Sequence, residues 1–401
     1  MPGPLAGVRI VDMTTVVMGP FATQILADLG ADVIKVESHE GDNMRHVGPY
    51  RNPGMGHIFL HANRGKRSIV LDLKKPDGRE ALLAIAKHAD VLVYNVRPQA
   101  MARLGLAYED LQAANPRIVY VGCYGYSQQG PYAAKPAYDD LVQGAAGVPA
   151  LLKAQGSDLP RFAPVTLADR LTGLHAVYAV TAALFHRERT GEGQSVEVPM
   201  FESAVQFVLS DHLAGASFEP RLGPTGYARL LAEHRRPYAT SDGFVCVLVY
   251  NDKQWKSFFA AIGEPERMTQ DARFATHSNR AANIASVYAY LAEVIRSRST
   301  AEWLELFEKA DIPAAPMNTI EDLLHHPQLE AEGFFTWEDH PTEGRVRRMT
   351  TPTRWSASMP APCGPAPRLG EHSRAVLHEA GYDDAAIDAL VAQSVTLTPP
   401  D

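Results

Sequence analysis

A chain of 401 residues is long enough to bury a substantial core in one large domain or two unequal ones. Its 46% hydrophobic and 21% charged content is that of an ordinary globular protein, and no apolar run of about 18 residues exists to cross a bilayer, so no membrane association is expected. With 38 basic against 46 acidic side chains, a net charge of −8 and no long basic run, a nucleic-acid partner is not expected either. The N-terminal "MPGPLAGVRIVDM" lacks the basic, apolar and small-residue sequence of an export signal, and a cytoplasmic protein is expected. Cys123, Cys246 and Cys363 are widely spaced and in no metal-ligating pattern, which suits reduced structural thiols. The adjacent His325 and His326 cannot both face one ion from a helix, and no metal site is predicted.

In chain order, "GVRIVDM" is a short β-branched run, "GPFATQILADLGA" spaces Phe21, Ile25 and Leu29 as a helix does, and "ADVIKVE" returns to a strand pattern. The rhythm repeats in "REALLAIAKHA" and "ADVLVYN", so the chain opens with successive βαβ units and a largely parallel sheet covered by helices on its faces. A dinucleotide site would need G-x-G-x-x-G after the first strand, whereas "DMTTVVMGP" holds one glycine, which argues against NAD chemistry. Such a turn still places helix N–H groups at the carboxyl ends of the strands, where anions bind.

Further on, "PRIVYVG" predicts a strand, "QGPYAAKPAYDDLVQGAAG" a loop entering a helix, "ADRLTGLHAVYAVTAALFHRERTG" a long helix closing at Gly191, and "QSVEVPM" a strand. From about residue 222 a smaller α+β domain is expected, with a strand pair and then helices up to "DIPAAP". The tail from "FFTWEDHP", with Pro352, Pro360, Pro362, Pro365 and Pro367, reads as an extended connection before two short helices in "LGEHSRAVLHEAGYDDAAIDALV". The expected organisation is therefore a large α/β domain over 1–210, a small domain over 222–330, and a returning segment over 331–401.

The segments "GVRIVDMTTVVMGPFATQILADLGADVIKVE", "NRGKRSIVLDLKKPDGREAL", "YDDLVQGAAG", "LADRLTGLHAVYAVTAALFHRERTGEGQSVEVPM" and "LGEHSRAVLHEAGY" resemble the class III coenzyme A transferases. This CaiB/BaiF family includes formyl-CoA transferases and, as a branch, the α-methylacyl-CoA racemases. The resemblance implies a Rossmann-like parallel sheet with a smaller α+β domain, assembled as an interlinked homodimer. It also implies an exchange of CoA between an acyl-CoA and a free carboxylic acid, with CoA esters as substrates and no tightly bound cofactor.

By the same resemblance Asp169, with Thr172 and Gly173, stands at the family nucleophile, and Tyr138 and Asp139 stand at positions lining the active site. A carboxylate can exchange acid and thioester through a mixed anhydride, provided water is excluded. Read from the residues alone, a cap on the helix it opens is the plainer role for Asp169. The racemase branch carries a histidine where Tyr138 stands, and a tyrosine is a poor base near neutral pH. Racemisation through Asp169 and a non-catalytic acyl-CoA-binding role are the alternatives.

Family alignment puts Val17, Lys74, Lys75, Asn95, Arg97 and Arg103 near CoA, whose phosphates suit basic groups and backbone N–H donors. Ser38 stands where several relatives place an arginine on CoA, so either Arg45 substitutes for it or adenine binds differently here; Arg64 and Lys66 are weaker candidates. Formyl-CoA:oxalate members carry a glutamine at the place of Val17 and a glycine run that is missing here, which disfavours oxalate. "YARLLAEHRRPYATSDG" presents Arg229, Arg235 and Arg236, resembling members that use succinyl-CoA and dicarboxylates, while the same arginines could equally hold a subunit or domain interface.

Overall fold

Strand β1 (Arg9–Met13) is followed by helix α1 (Met18–Asp28), β2 (Asp32–Glu37), α2 (His57–Ala62), β3 (Lys66–Val70), α3 (Pro76–Ala86) and β4 (Val91–Tyr94) in the computed structural model, which describes residues 2–360 and 364–399. Then come α4 (Pro98–Arg103), α5 (Tyr108–Ala114), β5 (Val119–Tyr124), α6 (Asp139–Ala145), α7 (Val148–Ala154), α8 (Leu167–Thr190) and β6 (Gln194–Pro199). The six strands form one sheet in the order β3-β2-β1-β4-β5-β6, and every neighbouring pair is parallel.

Because both faces of such a sheet are covered, its strands carry apolar side chains in both directions. Val11, Ile34, Leu92 and Tyr120 enter a core with Leu82 and Ile85 of α3. Their alternates Ile10, Val33, Val91 and Val119 enter a second core with Leu26 of α1 and Ala176 and Val180 of α8. The chain leaves β1 for β2 on one side and reaches β4 on the other, so the strand order reverses between β1 and β4. Open parallel sheets bind ligands in the crevice at that point, beyond the carboxyl ends of the strands.

The chain divides into two units, one comprising 1–146, 163–206 and 327–401 and the other 147–162 and 207–326. Residues 147–162, which the sequence reading leaves in the large domain, cluster with the second unit through α7. That unit holds an antiparallel sheet of β7 (Tyr238–Ala239), β8 (Phe244–Val247) and β9 (Ala314–Pro316). An aromatic core containing Trp255, Phe258, Phe259, Phe274, Trp303 and Phe307 supports it.

The tail corrects the expectation of an extended connection. Its first part is a regular hairpin of β10 (Phe335–His340) and β11 (Gly344–Met349), paired from Phe335–Met349 to His340–Gly344. Gly344 supplies the positive φ of +63° that closes the turn. Apart from Pro341 in the hairpin turn, the prolines follow the pairing: Pro352, Pro360, Pro365 and Pro367 lie in irregular chain, while Pro362 and Cys363 fall outside the described residues. Two helices, Ser373–Glu379 and Asp384–Ala392, then cover the first core with Val376, Leu377, Ile387 and Leu390. No helix among the described residues is long and apolar enough to cross a membrane.

Candidate active site

Asp169 lies in the first turn of α8, a 24-residue helix closed by Gly191 at φ +81°. The residue is 8% exposed, and no side chain among the described residues hydrogen-bonds its carboxylate. Burial, reinforced by the negative charge of Asp139 and opposed by Arg170, pushes the carboxyl up to about 7. The Asp169 carboxylate thus accepts none of the backbone N–H groups that an N-cap acid would accept.

The capping task belongs to Asp139. Its Oδ1 accepts the Asp169 N–H at 2.9 Å, and its Oδ2 accepts from Gln143 Nε2 at 2.6 Å. Gln143 also accepts the Ala163 N–H at 2.9 Å, so one glutamine ties α6 to the loop that delivers α8. Gln143 was not singled out from sequence; its spacing of four from Asp139 on one helix is the signal that was there. Tyr138, at the start of α6, is 67% exposed and its hydroxyl has no hydrogen-bond partner among the described residues.

Helices α1 and α8 both start at the carboxyl edge of the sheet and run side by side. At Gly173 they touch so closely that a Cβ would sit 2.8 Å from Phe21 Cδ1 and 2.9 Å from the Met18 carbonyl oxygen. Asp169 is four residues, about one 5.4 Å turn, further toward that edge. The opening of α1 is therefore its neighbour. Val17 occupies the N-cap of α1 with its side chain buried, and the Val17, Met18 and Gly19 N–H groups have no acceptor among the described residues.

Val16, just before, has φ +73°, a left-handed conformation that costs a β-branched residue about 1–3 kcal/mol. Side chains hold it there. Asn95 accepts the Thr15 N–H at 3.0 Å and donates to the Thr15 carbonyl at 2.7 Å. Asp42 accepts the Val16 N–H at 3.1 Å and is itself ion-paired with buried Lys35 at 3.0 Å. Asp12 receives Lys66 Nζ at 2.9 Å and both Thr14 and Thr23; although burial alone would raise it, the Lys66 and Lys35 ammonium groups hold its carboxyl well below the usual carboxylate range. These buried charges were not read as site residues, yet an acid or lysine interrupting "IVDM" and "VIKVE" in a sheet covered on both faces is a visible signal.

Several expected CoA contacts sit elsewhere or are already engaged. Arg45 does not replace the arginine missing at Ser38: it is buried, paired with Glu37 through Nη2 at 2.7 Å and Nε at 2.8 Å, donates to the Pro367 carbonyl and lies over the Phe59 ring. Arg64 is bound to Asp28 and Lys66 to Asp12 and Asn63. Lys75 donates to the Gln393 and Ser394 carbonyls of the C-terminal segment. The amide of Asn95 is committed to Thr15. Lys74 follows β3, Arg97 precedes α4 and Arg103 ends it; all three are exposed and make no ion pair among the described residues.

In the second unit Arg229, Arg235 and Arg236 line one cavity of about 330 Å³ with Tyr238 and Tyr288 and no carboxylate. Arg229 Nε donates to the Tyr288 hydroxyl at 3.0 Å, and none of the three arginines is ion-paired among the described residues.

The sequence matches CoA-transferase family III over residues 5–373. The chain belongs to that family. It is an enzyme of the class III CoA-transferase type. The succinyl-CoA:glutarate CoA-transferase of Mus musculus is 33% identical over 397 residues, covering 98% of this chain and 90% of the relative. The acetyl-CoA:oxalate CoA-transferase of Acetobacter aceti is 35% identical over 341 residues, covering 83% and 85%. Among solved structures, a CaiB/BaiF family protein from Brucella suis superposes with a TM-score of 0.80 at 32% identity, covering 95% of this chain and all of that one.

Proposed function

We propose that this transferase moves CoA from a succinyl-CoA-like donor to a dicarboxylic acid through Asp169. The observation that carries the reading is the buried, unbonded carboxylate at the start of α8 beside the opening of α1. An Asp169 carboxylate oxygen attacks the thioester carbonyl carbon, the C–S bond breaks, and CoA leaves as thiolate with a mixed anhydride formed. The thiolate attacks the aspartyl carbonyl of the anhydride, expelling the donor acid and leaving an aspartyl-CoA thioester. The acceptor carboxylate attacks that thioester, and the released thiolate takes the acceptor's acyl carbon from the second anhydride, restoring Asp169. Burial, with the negative charge of Asp139 added to it, raises the basicity of Asp169, and Asp139 also fixes the start of α8 through the Asp169 N–H.

Lys74, Arg97 and Arg103 are proposed to meet the CoA phosphates, since they are the basic candidates left without ion pairs. Arg229, Arg235 and Arg236 are proposed to bind a substrate carboxylate, because three unpaired guanidinium groups around one cavity favour an anion. The similarity to a transferase named for succinyl-CoA and glutarate supports the dicarboxylate choice.

The chain is further proposed to work as a homodimer. Leu174, Tyr178 and Phe185 share one outward face of α8 and are all exposed, as are Tyr138 and Leu141 of the adjoining α6 segment. An apolar helix face of this kind calls for a partner, and a second copy there would dry the surroundings of a hydrolysable anhydride. Initial rates with succinyl-CoA and glutarate test the chemistry: parallel double-reciprocal lines and loss of transfer in Asp169→Ala are expected. Full transfer by that variant, or α-carbon deuterium exchange without an acceptor, would contradict it.

A further inference from the structure

Three consecutive residues between β1 and α1 have their backbone groups held by side chains from separate parts of the chain. Thr14 is held by Asp12 and Lys35, Thr15 by Asn95 at two points, and Val16 by Asp42. Asn95 comes from the end of β4, directly across the point where the strand order reverses. Asp42 reaches the turn from beyond β2 and is fixed there by Lys35 and by the Met44 N–H, which it accepts at 3.0 Å. Beyond Val16 this support stops, and the next three N–H groups have no acceptor among the described residues. Helix N–H groups point along the axis toward the N-terminus, so these three project past the end of α1 to the level at which Asp169 stands, one turn above Gly173.

We propose that Asn95 and Asp42 are positioning residues that hold the turn at Val16 in its left-handed form, and thereby aim the opening of α1 at the acyl group reacting with Asp169. A valine has no intrinsic preference for that conformation, so the turn keeps it only while the clamp is closed. Cut the clamp and Val16 relaxes toward negative φ, swinging the Val17 and Met18 peptides away. Neither Asn95 nor Asp42 touches the reacting atoms in this account. The inference rests on the covalent role of Asp169 proposed above.

The test uses full-length protein and acid-quenched single turnovers with succinyl-CoA, following the mass gain of the intact chain as CoA attaches. Asn95→Ala is expected to slow attachment about 100-fold, the scale of a misplacement near 1 Å, with KM for succinyl-CoA in steady-state transfer within about twofold of the parent. Val16→Gly added to Asn95→Ala is expected to recover at least about tenfold of the lost rate, because glycine adopts positive φ without strain. A merely structural role for Asn95 would lower stability and would not be rescued by a glycine at 16. Attachment at the parental rate in Asn95→Ala, or no recovery in the double variant, overturns the inference. The two readings fail separately: a parent that transfers CoA without ever gaining the mass contradicts the covalent step, whereas an unimpaired Asn95→Ala contradicts only the clamp.

Discussion

A carboxylate must be ionised to attack a thioester, while burial favours its protonated form, so with Asp169 as the proposed nucleophile that conflict should govern the pH dependence of transfer. With the carboxyl pushed up to about 7, kcat/KM should rise with pH through that region as the nucleophile ionises. Asp139→Asn keeps an oxygen for the Asp169 N–H and removes a like charge, so the rising limb should move to lower pH; an unmoved profile would refute the role given to Asp139. The sign for stability runs the other way from a salt-bridged acid. The folded chain holds this proton more tightly than the unfolded chain, so stability is lost as pH rises from about 3.8 to about 7. Asp169→Asn should therefore be nearly neutral at pH 4 and stabilising by up to about 4 kcal/mol at pH 8, measured by denaturant titration. Of these residues, Asp169 and Asp139 could be named from sequence through the family resemblance. The environment of Asp169 could not, because it depends on Asp139 and Arg170 closing around it from two helices.

At the scale of elements, the contact of α1 with α8 is the joint on which the site depends. Gly173→Ala would place a methyl against the Met18 carbonyl and the Phe21 ring, and it should cost about 1–3 kcal/mol and lower kcat by separating the two helices. Thermal melts alongside transfer rates check this, and a variant with unchanged melting and turnover would show the contact to be slack. Buried Arg45 binds β2 to the later chain through Glu37 and Pro367. Arg45→Ala should cost about 3–5 kcal/mol, since it leaves Glu37 charged and alone. The βαβ rhythm and the long α8 were legible because their periodicity and the closing Gly191 are local signals. The β10–β11 hairpin was missed because its alternation in "FTWEDH" and "GRVRRM" lies next to the proline-rich stretch that coloured the reading of the whole tail. Arg45 was misassigned for another reason: whether an arginine faces a ligand or a buried glutamate is decided by residues distant in sequence, here Glu37 and Pro367.

At the scale of the molecule, six parallel strands with a reversal between β1 and β4 place the turn at Val16, Asn95 and the start of α8 along one carboxyl edge. This architecture and its family were legible in the sequence, whereas the clamp on Val16 was not, since a valine at positive φ carries no sequence mark. If a second copy covers the exposed face of α8, Leu174→Glu with Phe185→Glu should convert the protein to monomers in sedimentation velocity and reduce transfer. A parent that sediments as a monomer while fully active would contradict that arrangement. The covalent role of Asp169 underlies the rest, and one measurement addresses it directly. Protein incubated with succinyl-CoA is treated with hydroxylamine, digested, and the peptide containing Asp169 examined by mass spectrometry. The account predicts conversion of Asp169 to its hydroxamate only when acyl-CoA is present; an unmodified Asp169 in protein that is actively transferring CoA would contradict it.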